Sequence, residues 1–287
     1  MSMEHHHTYI LDPENVAEIA RLEMQSRLMT EGMGGVLPEL DNRLPDNYLR
    51  VLDLACGPGE WVSHLACEQP QAEVTGLDIS KNMLAYAQNV TQEQHLNNAH
   101  FVRGNLLEKL EFRTGSFDLL NARLLIDVLE RDQWPLFLTE CSRLLRSGGR
   151  LRLTECDDPI WQTNKLACEK INYWAEQMSL KCGYGFPSAN VRGLKMKASL
   201  HELLTKGGWS EITIHDHLLD GSFGTLLASS QRTNALITWK QYEPIVLRLG
   251  ITDQQEFTQT YNAIKRETLE KDFKGVWHIS TISAKKA

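Results

Sequence analysis

The chain has 287 residues, 42% of them hydrophobic and 23% charged, enough to bury a substantial core and ordinary for a globular protein. Thirty Lys and Arg against 37 Asp and Glu leave a formal charge of -7, which argues against a broad phosphate-tracking surface. No apolar run reaches roughly 18 residues, so no membrane-spanning helix is expected, and the first residues lack the apolar core of a signal peptide, which fits a cytoplasmic location.

Near the start, His5, His6 and His7 form a short tract that suits a solvated terminus better than a metal site. The spacing of Val16, Ile19, Ala20, Leu22, Met24 and Leu28 predicts an amphipathic helix over 15–29, with Asp12 as cap, Pro13 in the first turn and Gly32–Gly35 as its end. Residues 1–48 are therefore read as a helical arm or lid.

From Leu49 the pattern alternates as a βα protein should. Strands are expected at 49–54, 73–77, 100–103, 117–120 and 150–154, with helices at 60–67, 81–89 and 133–145. This block, 49–156, is read as the core. Regularity then fails in 157–198, an aromatic-rich insertion with a helix near 164–180, read as a substrate cap. A helix at 199–206, a strand at 211–217, helical stretches at 226–249 and 253–271 and a last strand at 276–283 complete the core, with 226–271 as a helical insertion. The six cysteines are dispersed and form no CxxC pair, so no zinc cage or other metal site is expected, and most read as reduced, partly buried thiols.

The most informative stretch is VLDLACGPGEW, residues 51–61. An apolar strand runs straight into Gly57-Pro58-Gly59 and then a helix. Glycines there permit a tight turn and let backbone approach a ligand. A dinucleotide fingerprint would place a third glycine where this chain has Val62. Asp78 follows Gly57 by 21 residues and closes the next strand, where a carboxylate can accept both hydrogen bonds of a ribose diol or, alternatively, cap the following helix.

Taken with VTGLDISKNMLAYA, VRGNLLE, GSFDLLNARLLIDVL and LLRSGGRLRLTE, these residues resemble the class I S-adenosylmethionine-dependent methyltransferases over about 51–155. The resemblance implies a Rossmann-like, doubly wound α/β fold, with a seven-stranded, mostly parallel sheet, helical additions and an antiparallel last strand. It also implies S-adenosylmethionine as cofactor and methyl transfer as activity. Carried onto matching positions, Gly57 and Gly59, with Ala55 beside them, would contact the methionine portion and Asp53 would help at its ammonium. Asp78 would hold the ribose, Ile79 and Met83 would flank the adenine, and Asn105 and Leu106 would meet its edge. Family members often carry an acidic residue where Asn105 stands. Asn121 and Arg123 would lie beneath the methionine end or open to substrate; Arg123 could instead brace Asp118 or Asp127. Asp127 itself reads as a helix-face or loop-ordering residue rather than a base.

Candidates for the acceptor wall lie outside these motifs: Tyr9, the helix bearing Arg21, Leu22 and Gln25, and Trp161, Tyr173, Trp174, Tyr184, Phe186, His201 and Phe223, with Trp239 further along. Each aromatic also suits ordinary core packing. His201, His215, His217 and Tyr184 are possible bases by chemistry alone, and no catalytic residue is singled out. The expected acceptor is a small aromatic or lipid-like metabolite, of secondary metabolism. Three alternatives stand beside it: an RNA or protein methyltransferase, an NAD-dependent reductase, and a non-catalytic cofactor-binding scaffold. No nucleic-acid partner is expected, and the arm suits either its own subunit or a homodimer.

Overall fold

The computed structural model describes residues 9–157, 161–187 and 193–287, so the His5–His7 tract lies outside the described residues. Helix α1 (Val16–Met33) begins at Asn15, whose side chain accepts a hydrogen bond from the Ala17 N–H. Asn15 is thus the cap expected at Asp12, which accepts from the Glu14 N–H instead, and Pro13 precedes the helix. Gly34, at φ 90°, ends α1 and donates to the Thr30 and Glu31 carbonyls just before it.

The alternating block then forms β1 (Arg50–Leu54), α2 (Glu60–Glu68), β2 (Glu73–Asp78), α3 (Lys81–Glu93), β3 (Ala99–Arg103), β4 (Phe117–Arg123), α4 (Trp134–Leu144) and β5 (Leu145–Glu155). β1 to β5 pair in parallel in the order β3-β2-β1-β4-β5. Because helices cover both faces, residues 51–54 of β1 and 117–122 of β4 are buried consecutively, not alternately. β3 lies at the edge and is mostly exposed, which is why its sequence signal is weaker.

The remaining elements are β6 (Gln162–Thr163), α5 (Leu166–Lys181), α6 (Met196–Lys206), β7 (Ser210–Asp220), α7 (Ala228–Arg248), α8 (Gln254–Glu267) and β8 (Gly275–Lys285). β8 runs antiparallel between β5 and β7. Two-residue β6 pairs with β8 just beyond the end of β5, giving eight strands where seven were expected. The mostly parallel Rossmann-like sheet with an antiparallel last strand is as the sequence implied.

Two apolar cores flank the sheet. One lies under α2, where Val36, Leu37, Leu44 and Tyr48 of the arm join Trp61, Val62 and Leu65. The Trp61 indole N–H donates to the Val36 carbonyl at 3.0 Å, tying the arm to α2. The larger core joins the opposite face to the helical additions. There Trp174 of α5 stacks on Phe257 of α8, with ring centroids 6.0 Å apart, and leans on Trp239 of α7. That aromatic cluster holds α5, α7 and α8 together, and α1 packs on α7 and β7.

Candidate active site

The sheet changes winding direction between β1 and β4, with β2 and β3 on one side and β5 on the other. Such a reversal opens a crevice at the carboxyl ends of the strands. Here the crevice is roofed by α1, α5 and α7 and forms a cavity of about 1860 Å³, counted with its open mouth.

The glycine loop divides its labour. Gly57, at φ 54°, faces the cavity, where an added Cβ would meet nothing closer than Leu22 Cδ1 at 3.9 Å. Gly59, at φ 76°, is absent from the cavity wall; a Cβ there would come within 2.6 Å of Ala87 Cβ and 2.8 Å of the Phe101 ring. Gly59, expected at the ligand, therefore serves the close packing of α2 on α3 and β3. Ala55 lines the cavity with φ 56°, a left-handed backbone that a residue with a Cβ adopts only where its surroundings hold it.

Asp78 closes β2 and anchors this loop. Its Oδ2 accepts from the Gly57 N–H at 2.8 Å and its Oδ1 from the Ser80 N–H at 2.9 Å. Burial raises its pKa, and those backbone donors hold it down in part. Ser80, not Asp78, caps α3 through the Met83 N–H. A carboxylate carries about four acceptor positions, so acceptor capacity remains beyond the Gly57, Ser80 and Ile79 N–H groups on a group that lines the cavity. Ile79, Met83, Asn105 and Leu106 line the same end. The Asn105 carbonyl accepts from the Leu107 N–H and its amide donates to Glu108, so the side chain is already ordered locally.

Behind the loop lies a buried polar chain. Asp53 Oδ1 accepts from Asn121 Nδ2 at 2.7 Å, and Asn121 Oδ1 accepts from Arg152 Nη1 at 2.7 Å. Arg152 also pairs with Glu39 of the arm. Burial lifts the Asp53 carboxyl to about 6 against the opposing pull of Arg123, Asn121 and Arg152. Asp53 lines the cavity; Asn121, expected there too, is fully buried one layer behind and orients it. Arg123 does line the cavity, donating to Thr30 Oγ1 and Ser26 Oγ. It braces neither Asp118, which is held by Arg146 and the Leu49 and Arg50 N–H groups, nor Asp127. Burial lowers its pKa.

A second polar group spans the roof. The Tyr9 hydroxyl donates to Glu18, which also receives Arg21 Nε at 2.8 Å and Nη2 at 2.6 Å. Arg21 reaches on to Gln25 in its own helix and to Asn234 and Thr238 in α7. Burial opposes the Arg21 charge, yet the Glu18 hydrogen bond and neighbouring charges raise its pKa overall. Asp127, just after β4, accepts the Tyr242 hydroxyl on Oδ2 at 3.2 Å, and burial lifts it to about 6 while Tyr242 and Arg21 pull the other way.

Of the aromatic candidates for the acceptor wall, Tyr9 and Trp161 line the cavity; the Trp161 indole donates to Gln231 at 2.9 Å. The others stand elsewhere. Trp174 is in the aromatic core, one position from the wall-lining face of α5 that Ala175, Met178 and Ser179 form. Tyr173 and Phe223 are about half exposed, at 45% and 46%. Tyr184 is buried away from the wall, and Phe186 packs against the main core. His201 is exposed on α6, and His215 and His217 sit on edge strand β7. Sequence reasoning did not assign the stripe Gln231, Asn234, Ala235, Thr238 and Tyr242 to the wall, although its helical spacing, polar on a buried face, was the available signal. Among the described residues no group of three His, Cys, Asp or Glu could hold a metal ion, and no helix is long and apolar enough to cross a membrane.

Residues 51–149 match the model of a methyltransferase domain. The chain is 34% identical over 179 residues to the demethylmenaquinone methyltransferase of Lactococcus lactis, a match spanning 59% of this chain and 69% of that protein. The chain belongs to the class I S-adenosylmethionine-dependent methyltransferases. The Lactiplantibacillus plantarum demethylmenaquinone methyltransferase is 39% identical to this methyltransferase over 122 residues, 39% of this chain and 50% of that one. Among solved structures, Haemonchus contortus phosphoethanolamine N-methyltransferase 2 shares the fold with a TM-score of 0.56 at 16% identity, covering 96% of this chain and 60% of that one. The YcgJ protein of Bacillus subtilis likewise reaches 0.56 at 14% identity, covering 88% and 98%. The domain match takes in the loop, Asp78 and Asn105 of this methyltransferase, whereas α1, α5 and α7 of the roof fall outside it.

Proposed function

We propose that the enzyme transfers the S-adenosylmethionine methyl group to a small, largely apolar acceptor, aromatic or lipid-like, held inside the roofed cavity. One observation carries this reading: a single roofed, open-mouthed cavity has a backbone-and-carboxylate end at Gly57 and Asp78 and a predominantly apolar end at Cys156, Trp161, Met178, Leu194 and Trp277. The first end fits the cofactor by the open space over Gly57 and the spare acceptor positions of Asp78. There Asp78 holds the ribose hydroxyls, Ile79 and Met83 flank the adenine, and Asn105 and Leu106 meet its edge. Gly57 and Ala55 border the methionine portion, with Asp53 and Arg123 at its charged groups.

When bound, the cofactor supplies an activated sulfonium methyl, so the protein's task is chiefly in-line placement and exclusion of water. Roofing by α1, α5 and α7 serves both. A closed roof suits a small acceptor better than a polymer, and the two relatives named for demethylmenaquinone support an apolar ring compound. A reducing, cytoplasmic setting belongs to this reading and is supported by six unpaired cysteines.

Calorimetric titration tests the donor, and methyl transfer to alkylated phenols and naphthalenediols tests the acceptor. S-adenosylmethionine is expected to bind and NAD not to. Selective NAD binding, or transfer to RNA or protein but to no small ring compound, would contradict the proposal.

A further inference from the structure

Asp127 stands where the acceptor end of the cavity begins. The segment Arg123–Leu129 leaves the carboxyl end of β4 and contributes six residues to the wall, between the cofactor end and the apolar end. The Asp127 carboxylate is held on one side only: Oδ2 takes the Tyr242 hydroxyl from α7, and Oδ1 has no hydrogen-bond partner among the described residues. Its backbone is fixed as well, since the Asp127 carbonyl accepts from the Ile10 N–H. An oriented carboxylate on the cavity wall, with one oxygen taken by Tyr242 and acceptor capacity left on the other, has the makings of a proton acceptor.

The charges around it restrict what can enter. Arg21 faces it from α1 but is already paired with Glu18, and Tyr9 bonds to that same glutamate. Glu155, at the end of β5, is raised by burial to about 8, while the Leu125 and Ile126 N–H groups it accepts pull the other way; Tyr184 and Tyr242 are likewise raised by burial. Cys156 and Cys182 nearby are also raised by burial. With Arg21 already paired to Glu18, an ionised Asp127 has no cation of its own to share with a second anion. That repels a carboxylate or phosphate acceptor and admits a neutral hydroxyl.

We propose that Asp127 is a catalytic base that accepts the hydroxyl proton of a neutral phenolic or enolic acceptor, with Tyr242 as the residue that positions it. This rests on the small-acceptor reading above. As the proton moves to Asp127 Oδ1, the acceptor's electron pair, on oxygen or through the ring on the adjacent carbon, forms the new bond to the methyl carbon. The carbon–sulfur bond breaks and its pair returns to sulfur, leaving neutral S-adenosylhomocysteine. In the carbon case the ring proton is lost afterwards to solvent and the oxygen regains one, so each route releases one proton overall.

The test uses the full chain, tritiated-methyl S-adenosylmethionine, and two probes: 4-hexylphenol, and 1,4-naphthalenediol kept reduced. Asp127→Asn is expected to lower kcat by about 100-fold or more, with S-adenosylhomocysteine affinity unchanged as the sign that the site is intact. The wild-type rate should rise with pH through an inflection near 6, which Asp127→Asn abolishes and Asp127→Glu restores in part. Tyr242→Phe removes a donor that favours the ionised carboxylate, so its inflection moves to higher pH. An Asp127→Asn enzyme with the wild-type rate and pH profile overturns the proposal. A wild type that binds S-adenosylhomocysteine but methylates neither probe overturns it through the acceptor class. Failure to bind S-adenosylhomocysteine at all overturns the cofactor reading first.

Discussion

The two ends of the cavity are built by different means. At the cofactor end the wall comes from short segments at the carboxyl ends of β1, β2 and β3, Ala55–Pro58, Asp78–Ile79 and Gly104–Leu107, tied together at Asp78, whose carboxylate takes the Gly57 and Ser80 N–H groups and whose carbonyl takes the Gly104 N–H. At the acceptor end it comes from single faces of α1, α5 and α7, elements up to about two hundred residues apart in the chain, joined by side-chain hydrogen bonds such as Arg21 to Asn234 and Thr238. A sheet-anchored site is rigid by construction. A helix-roofed site owes its shape to how the helices pack, and so can be altered without disturbing the first.

Trp174→Ala should give the largest effect and the sharpest separation. Removing a fully packed tryptophan from the α5–α7–α8 cluster is expected to cost about 3–5 kcal/mol of stability. Denaturant unfolding reads that loss, while S-adenosylhomocysteine affinity at low temperature stays near the wild-type value. Equal loss of both would mean the two ends are not independent.

Asp78→Ala attacks the other end. It removes the acceptor for the ribose and leaves the Gly57 and Ser80 N–H groups without their partner, together worth about 3 kcal/mol, or about a hundredfold in Kd. Calorimetry checks this, and acceptor binding by the surviving complex should be little changed.

The two glycines split the comparison within a single loop. Gly59→Ala forces a methyl into Ala87 and Phe101 at positive φ and should destabilise the fold by about 2–3 kcal/mol. Gly57→Ala meets open space and should cost only about 1 kcal/mol of stability from its backbone strain, while weakening cofactor binding. Thermal unfolding with and without S-adenosylhomocysteine distinguishes them.

Asp127→Asn changes stability in the opposite sense, and only over part of the pH range. The folded carboxyl titrates at about 6 against 3.8 when unconstrained, so the folded state binds more protons in between. Its contribution to stability therefore falls as pH rises from about 4 to about 6. At neutral pH the neutral amide should be the more stable form, and the difference should vanish below about pH 4. Chemical denaturation at the two pH values measures it.

This contrast also explains what the sequence made legible. Val51–Leu54 followed by Gly57 and Gly59, then Val74–Asp78, are local patterns whose spatial relation the βα geometry dictates, so the doubly wound, mostly parallel sheet could be read directly. The division between Gly57 and Gly59 could not, because it depends on Phe101 of β3 and Ala87 of α3 packing from the far side. Trp174 and Ala175 are adjacent in sequence, yet one is core and the other wall; only the docking angle of α5 decides which. Asn15 displaced Asp12 as the α1 cap because both are good caps and tertiary packing chose the start. Arg152 gave no sign of its role, since a buried arginine becomes meaningful only beside Glu39 and Asn121, which come from the arm and from β4.

A crystal structure with S-adenosylhomocysteine bound tests the central claim most directly. The ribose hydroxyls are expected on Asp78 and the adenine between Ile79 and Met83, with the sulfur opening toward Arg123 and Asp127. A ligand that makes no contact with Asp78, or lies reversed with its adenine toward Trp161, would contradict the division of the cavity on which this account rests.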